Sequence, residues 1–396
     1  MVPMLNSKQL SLIAATFLGL NVTASTHPFI VTDHAMIQEG QKSLSSLEII
    51  KQEQGIIIAK VAEDEKSNLS HIAHEDHHRC GGYFAFETLA QAESFVIDSK
   101  NNDTTKAVLA DYTINQEDTV TEYIAKAQEL NIRSTMLKLS SFNNRYYKSE
   151  TGTESQEWLK AYWTDLTKHR SDITVEFFNH SGWSQPSVIA TIKGESSDVI
   201  VVGGHADSIA GWWSREKARA PGADDNASGI ATITETLKVL AESGYTPKKT
   251  IKFMAYAAEE VGLLGSKDIA RTFKQDGVNV VGVLQSDMTN HNGSNTDITL
   301  ITDFTNEAQN NFLGNLIDKY LPELTWGRDT CGYACSDHAS WTSQGFPASI
   351  PFEAKKNDMN HNIHTANDTL ERMGGEANHA LKFAKLALSF VIELDR

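Results

Sequence analysis

Thr250-Ile251-Lys252-Phe253-Met254-Ala255-Tyr256 runs directly into Ala257-Ala258-Glu259-Glu260-Val261-Gly262. The first seven residues are mostly apolar and rich in strand formers. Leu263-Leu264-Gly265-Ser266 then leads into a helical pattern. Two adjacent carboxylates therefore stand where a buried strand ends. In extended backbone neighbouring side chains point opposite ways, so the two glutamates can do different jobs, one ligating a metal and one moving a proton. A lone Glu-Glu pair is usually a solvated acidic turn, so its partners elsewhere in the chain decide.

Outward from this stretch the pattern alternates. Helices are expected over 117–130, 155–168, 227–241, 263–273, 307–320 and 375–394. Strands are expected at 174–178, 187–192, 199–202, 250–256, 278–284, 298–301 and 348–352. Such alternation predicts an α/β three-layer sandwich, a mostly parallel mixed central sheet with helices on both faces. Sites in such sheets form beyond the carboxyl ends of the strands.

Potential ligands follow the strands. Gly203-Gly204-His205-Ala206-Asp207 follows one, and Gln285-Ser286-Asp287 another. Gly222-Ala223-Asp224-Asp225-Asn226 precedes a helix, and late in the chain Asn362-Ile363-His364-Thr365 precedes Asn367-Asp368-Thr369, a further set of potential ligands. Taken singly, His205 could be a core histidine, Asp225 a helix N-cap and Asp287 a turn carboxylate. Together, His205, Asp225, Glu260, Asp287 and His364 are donors suited to zinc. Two histidines with three carboxylates exceed one tetrahedral ion but suit two metals that share a bridging carboxylate. Asp207, two residues after His205, points to the same side and can accept the second imidazole N–H. Gly203 and Gly204 permit close backbone approach, and Ser228-Gly229 lets the next helix sit near the sheet.

These five separated motifs, in this order, resemble the dizinc aminopeptidases, and most of all the secreted bacterial leucyl aminopeptidases of the Vibrio type. The resemblance covers about residue 107 to the end, and the Cys331-Gly332-Tyr333-Ala334-Cys335 loop is similar to that subgroup's. It implies two zinc ions. Asp225 bridges them, His205 and Asp287 complete one site, and Glu260 and His364 complete the other. Glu259 is the implied general base and Asp207 the residue that orients His205. Tyr333 is implied to help stabilise the tetrahedral intermediate. Met288, Ile301, Cys331, Cys335, Ile350, Phe352 and Ile363 are candidates for an apolar pocket that takes the N-terminal side chain. Ala206 departs from the larger apolar residue common at that position. The implied substrates are peptides with a free N-terminus and a large apolar first residue such as Leu. The rival within the fold is a single-zinc glutaminyl cyclase.

The chain has 396 residues, room for one large domain and an appendage. A net charge of −16 argues against nucleic acid or an anionic membrane as partner. Lys8, an apolar run over 10–22 and the small-residue spacing of Val22-Thr23-Ala24 predict a signal peptide over 1–24, and export to the medium or the periplasm. Residues 25–106 differ from the rest and end in a polar linker. They are expected to be a propeptide that inhibits and assists the catalytic domain at 107–396, a monomer. In an exported protein Cys331 and Cys335 are a natural disulfide pair, with Cys80 left over. His74-Glu75-Asp76-His77-His78 satisfies the zincin pattern H-E-x-x-H. The metzincin extension would need His at 84, where Phe84 stands. The cluster is therefore expected to be a solvated histidine patch.

Overall fold

The structure, a computed structural model, describes residues 28–53, 55–73, 77, 82–100, 111–211 and 214–396. The first unit contains β1 (Phe29–Asp33), α1 (His34–Ser43), β2 (Glu48–Glu53) and β3 (Ile56–Lys60). It continues with α2 (Lys66–His71), β4 (Phe84–Phe86) and α3 (Leu89–Lys100). Its strands form an antiparallel sheet in the order β2-β3-β1-β4. Alternation sorts the side chains between two faces. Ile30, Ile57 and Ala59 join Met36, Leu69 and Ile72 on one face. Val31, Ile58 and Phe84 join Ala92, Phe95 and Val96 on the other. That second cluster continues into Leu263, Ala334 and Ala339, so the small α+β unit packs against the larger one.

The larger unit opens with three helices: α4 (Glu117–Ile124), α5 (Glu129–Ser141) and α6 (Glu150–Thr167). β5 (Ile173–Phe178), β6 (Ser187–Ile192) and β7 (Val199–His205) follow, then α7 (Gly229–Glu242), β8 (Thr250–Tyr256), α8 (Leu264–Gln275) and β9 (Val280–Gln285). β10 (Ile298–Ile301), α9 (Glu307–Tyr320), β11 (Trp326–Asp329) and α10 (His338–Ser343) come next. β12 (Ala348–Ser349), β13 (Pro351–Phe352) and α11 (Asn378–Leu394) close the chain. The central sheet has six strands in the order β12-β9-β7-β8-β6-β5. β12, β9, β7 and β8 run parallel, while β6 and β5 pair antiparallel. A smaller sheet orders β11-β10-β13 beside it.

The sheet is buried on both faces, as a parallel core requires. Ile200, Val202, Ile251 and Phe253 pack with the helical layer of α4, α6, α7, α9 and α11. Val199, Val201, Met254 and Tyr256 pack on the other side with Ile269 of α8 and Trp341 of α10. Each such aliphatic or aromatic side chain contributes about 1.5–3 kcal/mol of burial. α7 is buried along nearly its whole circumference, which fits a helix wedged between the sheet and other helices.

Two expectations need correction. The helix expected over 117–130 is two helices, because the amide of Gln128 turns aside to the Glu235 carboxylate (2.7 Å) and α5 restarts there. The strand expected over 348–352 is also two. Ala348 and Ser349 pair with β9, whereas Pro351 and Phe352 pair antiparallel with β10. Pro351 lacks the N–H that a continued ladder needs. β11 and α10 lie outside the expected pattern altogether.

Candidate metal centre

Three parallel strands deliver their carboxyl ends to one place. β7 ends in His205, β8 is followed by Glu259 and Glu260, and β9 by Asp287. Asp225 stands just before α7, and His364 lies between β13 and α11. All six side chains, and Asp207, are buried. Close backbone approach makes this convergence possible. A Cβ on Gly204 would meet the Ser286 carbonyl oxygen at 2.6 Å, and one on Gly229 would meet it at 2.2 Å. Left-handed backbone gathers here too, at Ala258 (φ 56°), Met288 (φ 52°) and His364 itself (φ 59°). Non-glycine residues hold such angles only where the surroundings enforce them.

The carboxylate of Asp225 faces two ways. Its Oδ1 lies 3.0 Å from His205 Nε2 and its Oδ2 lies 2.8 Å from His364 Nε2. Asp287 Oδ1 is 3.3 Å from His205 Nε2, and Glu260 Oε2 is 3.2 Å from His364 Nε2. Two triads result, His205–Asp225–Asp287 and Asp225–Glu260–His364, each with donor atoms within 4.8 Å of one another. They are the metal-capable groups found among the described residues, and Asp225 belongs to both.

The electrostatics ask for cations. Burial opposes ionisation of Asp225, but hydrogen bonds with His205 and His364 hold its carboxyl well below the usual range. Burial pushes Glu260 up to about 7, and the charge of Asp225 adds to this. Against burial, the charges of Glu260 and Asp225 push His364 up to about 10. Burial raises Glu259 far above a normal glutamate; His205 opposes this, while Glu260, Asp337 and Asp287 reinforce it. So many buried carboxylates are costly unless positive charge compensates them. Nitrogen and oxygen donors in two sets sharing one carboxylate fit zinc.

Residues 187–390 match the model of Peptidase family M28. The chain belongs to peptidase family M28. A probable leucine aminopeptidase 1 of Trichophyton verrucosum is 39% identical over 308 residues, 74% of this chain and 80% of that protein. A probable aminopeptidase of Saccharomyces cerevisiae is 37% identical over 291 residues, 71% and 77% of the two chains. The crystal structure of the Legionella pneumophila LapA aminopeptidase superposes with a TM-score of 0.81 at 29% identity. That alignment covers 93% of this chain and 98% of LapA. This M28 chain is thus an enzyme, a zinc-dependent aminopeptidase.

Around the candidate ligands of this M28 chain lies a set of buried groups that hold the segments carrying them. Asp207 Oδ1 is 3.4 Å from His205 Nδ1. Its two oxygens also accept the backbone amides of Glu259 (3.0 Å) and Glu260 (3.2 Å). It therefore positions three site residues, where sequence spacing predicts only one. Sequence reasoning missed Arg145, whose buried guanidinium donates to the carbonyls of Ala206 (2.8 Å) and Gly222 (2.9 Å), in the loops that carry His205 and Asp225. It missed Asp337, buried with its carboxyl pushed up to about 7 by burial, which accepts from Gln285 Nε2 at 3.1 Å. Asp368, a possible ligand by its sequence position, belongs to neither triad and instead accepts the amides of Asp224 and Asp225 at 3.0 Å each. Arg145 and Asp337 lie outside the motifs quoted above. The one local signal is the run of polar residues after Cys335 and after His364.

Met288, Ile301, Ile350, Phe352 and Ile363 come together in one apolar cluster with Tyr333, Cys335 and, unanticipated, Met359; Cys331 packs against it. Cys331 and Cys335 are joined by a disulfide. The amides of Cys331 (2.5 Å) and Gly332 (3.1 Å) donate to Asp303 Oδ2, which fixes the loop beside that cluster. Of the zincin pattern, His74, Glu75, Asp76 and His78 lie outside the described residues, as do Cys80 and the expected signal peptide.

Proposed function

We propose that this chain is a secreted, monomeric dizinc aminopeptidase of the leucyl type, akin to the Vibrio-type exported enzymes, that removes large apolar residues from peptides with a free N-terminus. The observation that carries the dinuclear reading is Asp225, whose two oxygens address two different imidazoles at 3.0 and 2.8 Å. His205, Asp225 and Asp287 would hold one zinc; Asp225, Glu260 and His364 would hold the other. Bound there, the ions supply the positive charge that polarises the scissile carbonyl and acidifies water.

The protein's own residues do the rest. Glu259 belongs to neither triad, and its two carboxylate oxygens are buried and accept no hydrogen bond from the described residues. Its raised proton affinity suits a group that takes a proton from the attacking water and delivers it to the departing amine nitrogen. The water oxygen joins the acyl carbon as the C–N bond breaks. Asp207 holds the Glu259–Glu260 backbone so that this carboxylate stays aimed at the reacting atoms. We assign Tyr333 to the developing oxyanion, and Met288, Ile301, Ile350, Phe352 and Ile363 to the pocket for the first side chain.

The test is Glu259→Gln with zinc content measured alongside. Turnover of leucyl-p-nitroanilide is expected to fall by about 10³-fold or more, with both zinc ions retained. Near-normal turnover would sink the assignment of the base. One tightly bound zinc in the wild-type protein, with cyclisation of N-terminal glutamine, would favour the glutaminyl cyclase instead.

We assign residues 1–24 to a signal peptide and 25–106 to a propeptide that blocks the enzyme until removed. The support is where this unit sits. Tyr83 packs against Gly262, whose φ is 103° and whose Cβ position lies 3.0 Å from the ring. Phe84 and Phe95 pack with Leu263, Ala334 and Phe304. The unit thus rests on the turn that carries Glu259–Glu260 and on the disulfide loop.

A further inference from the structure

The two histidine-bearing segments are built alike. Asp207 follows His205 by two residues and grips the amide pair of Glu259–Glu260, on a neighbouring element. Asp368 follows His364 by four residues and grips the amide pair of Asp224–Asp225, again on another element, with one oxygen to each N–H at 3.0 Å. Its own backbone carbonyl accepts a third consecutive amide, that of Ala223, at 3.1 Å. Asp368 is fully buried. Asn360 Nδ2 donates to Asp368 Oδ1 at 3.3 Å and to Asp224 Oδ2 at 3.1 Å, closing the ring.

The gripped segment needs such an anchor. Asp225 and Asn226 depart from helical geometry, with φ/ψ of −106°/91° and −133°/47°. Their amides therefore cannot rely on a regular helix for partners. The direction of the Asp225 carboxylate, between His205 and His364, follows from how this kinked backbone is held. A carboxylate that accepts two amides is a charge-assisted, two-point fixture.

We propose that Asp368 is a positioning residue for the bridging ligand, setting Asp225 for both zinc ions as Asp207 sets the Glu259–Glu260 pair. This rests on the dinuclear reading of the site. Asp368→Asn leaves one acceptor and turns an amide N–H₂ toward a backbone N–H. Partners of metal ligands typically account for 10–100-fold in metal affinity.

The experiment measures zinc affinity and stoichiometry by chelator competition, with the melting temperature of the metal-free protein as a second readout. Asp368→Asn is expected to weaken both zinc ions by about 10-fold or more. Asp368→Glu, which keeps both acceptors, is expected to restore part of that affinity. Wild-type protein with two zinc ions and an Asp368→Asn variant within twofold of its affinity, changed only in melting temperature, overturns the proposal alone. Wild-type protein with fewer than two zinc ions overturns the dinuclear reading and the proposal with it. If Asp368→Asn does not fold, Asp368→Glu decides: a measurable loss in zinc affinity supports the role and wild-type affinity overturns it.

Discussion

The ligand end of the central sheet and the face that receives the N-terminal unit lie only a few residues apart, at Glu259–Glu260 and at Gly262–Lys267. They are built on opposite terms. At the ligand end, buried charges are held by directional partners: carboxylates on imidazoles, carboxylates on amide pairs, and Arg145 on loop carbonyls. At the docking face rings carry much of the contact. Phe84 lies 6.2 Å from Phe304 between centroids, and Phe95 stacks on Phe304 at 6.1 Å. A half-buried cation of that face, Lys267, donates to the carbonyl of Ala85 and lies 4.9 Å from the Phe86 ring. Directional bonds specify one geometry, whereas apolar contact specifies area. The difference teaches that the geometry of the site is specified by partners within the larger unit, not by the rings of the neighbouring one.

The largest effect expected is on the ligand side. Asp225→Asn removes the charge shared by both triads, so activity should drop by about 10³-fold or more and zinc content should fall below two per chain. A variant that keeps two zinc ions and normal turnover would show that the bridge is not the centre of the site. The second effect tests separability. Cutting the chain at a protease site inserted within 101–110 and removing the N-terminal piece should raise activity toward leucyl-p-nitroanilide about tenfold, with zinc content unchanged. Loss of zinc on cutting would mean that the two regions are one structural unit.

The smallest effect sharpens the contrast through pH. Burial, then the like charges of Lys66 and Arg271, hold the Lys267 ammonium down to about 7. A freed lysine titrates near 10.4. Between these values the docked form binds fewer protons than the separated form, so docking tightens as pH rises and levels off below about pH 7. Affinity of the cut N-terminal piece should rise about fivefold from pH 7 to pH 8. Lys267→Met, neutral throughout, should flatten that dependence, and an unchanged slope in this variant would assign it to another group.

Much of the catalytic unit was legible in the sequence because its signals are local. The strands Ser187–Ile192, Thr250–Tyr256 and Ile298–Ile301 and the helix Glu307–Tyr320 occupy their expected bounds, since short apolar runs between polar breaks determine them. The candidate ligands His205, Asp225, Glu260 and Asp287 were legible because each stands by a strand end or a helix start, whereas His364 lies in the loop between β13 and α11 and was legible only from its motif. What escaped was set by distant partners. Glu235 redirects the chain at Gln128 from 107 residues away. Asp368 meets Asp225 across 143 residues. A carboxylate's choice of a backbone amide leaves no periodic trace, so the groups that hold the ligands emerge only with the fold.

The division of residues 348–352 between two sheets has a consequence for engineering. Ile350 sits at the crossing, where its carbonyl accepts the amide of Ile301 at 3.2 Å while Ser349 stays in register with Leu284 of the central sheet. Ile350 of the apolar cluster therefore lies in a weld between two sheets, one strand of which leads to Asp287. Met359 and Ile363 come from the loop that precedes His364 and carry no sheet register. Under the proposed assignment of this cluster to the first side chain, Met359 and Ile363 are the positions where substitution leaves both sheets in register.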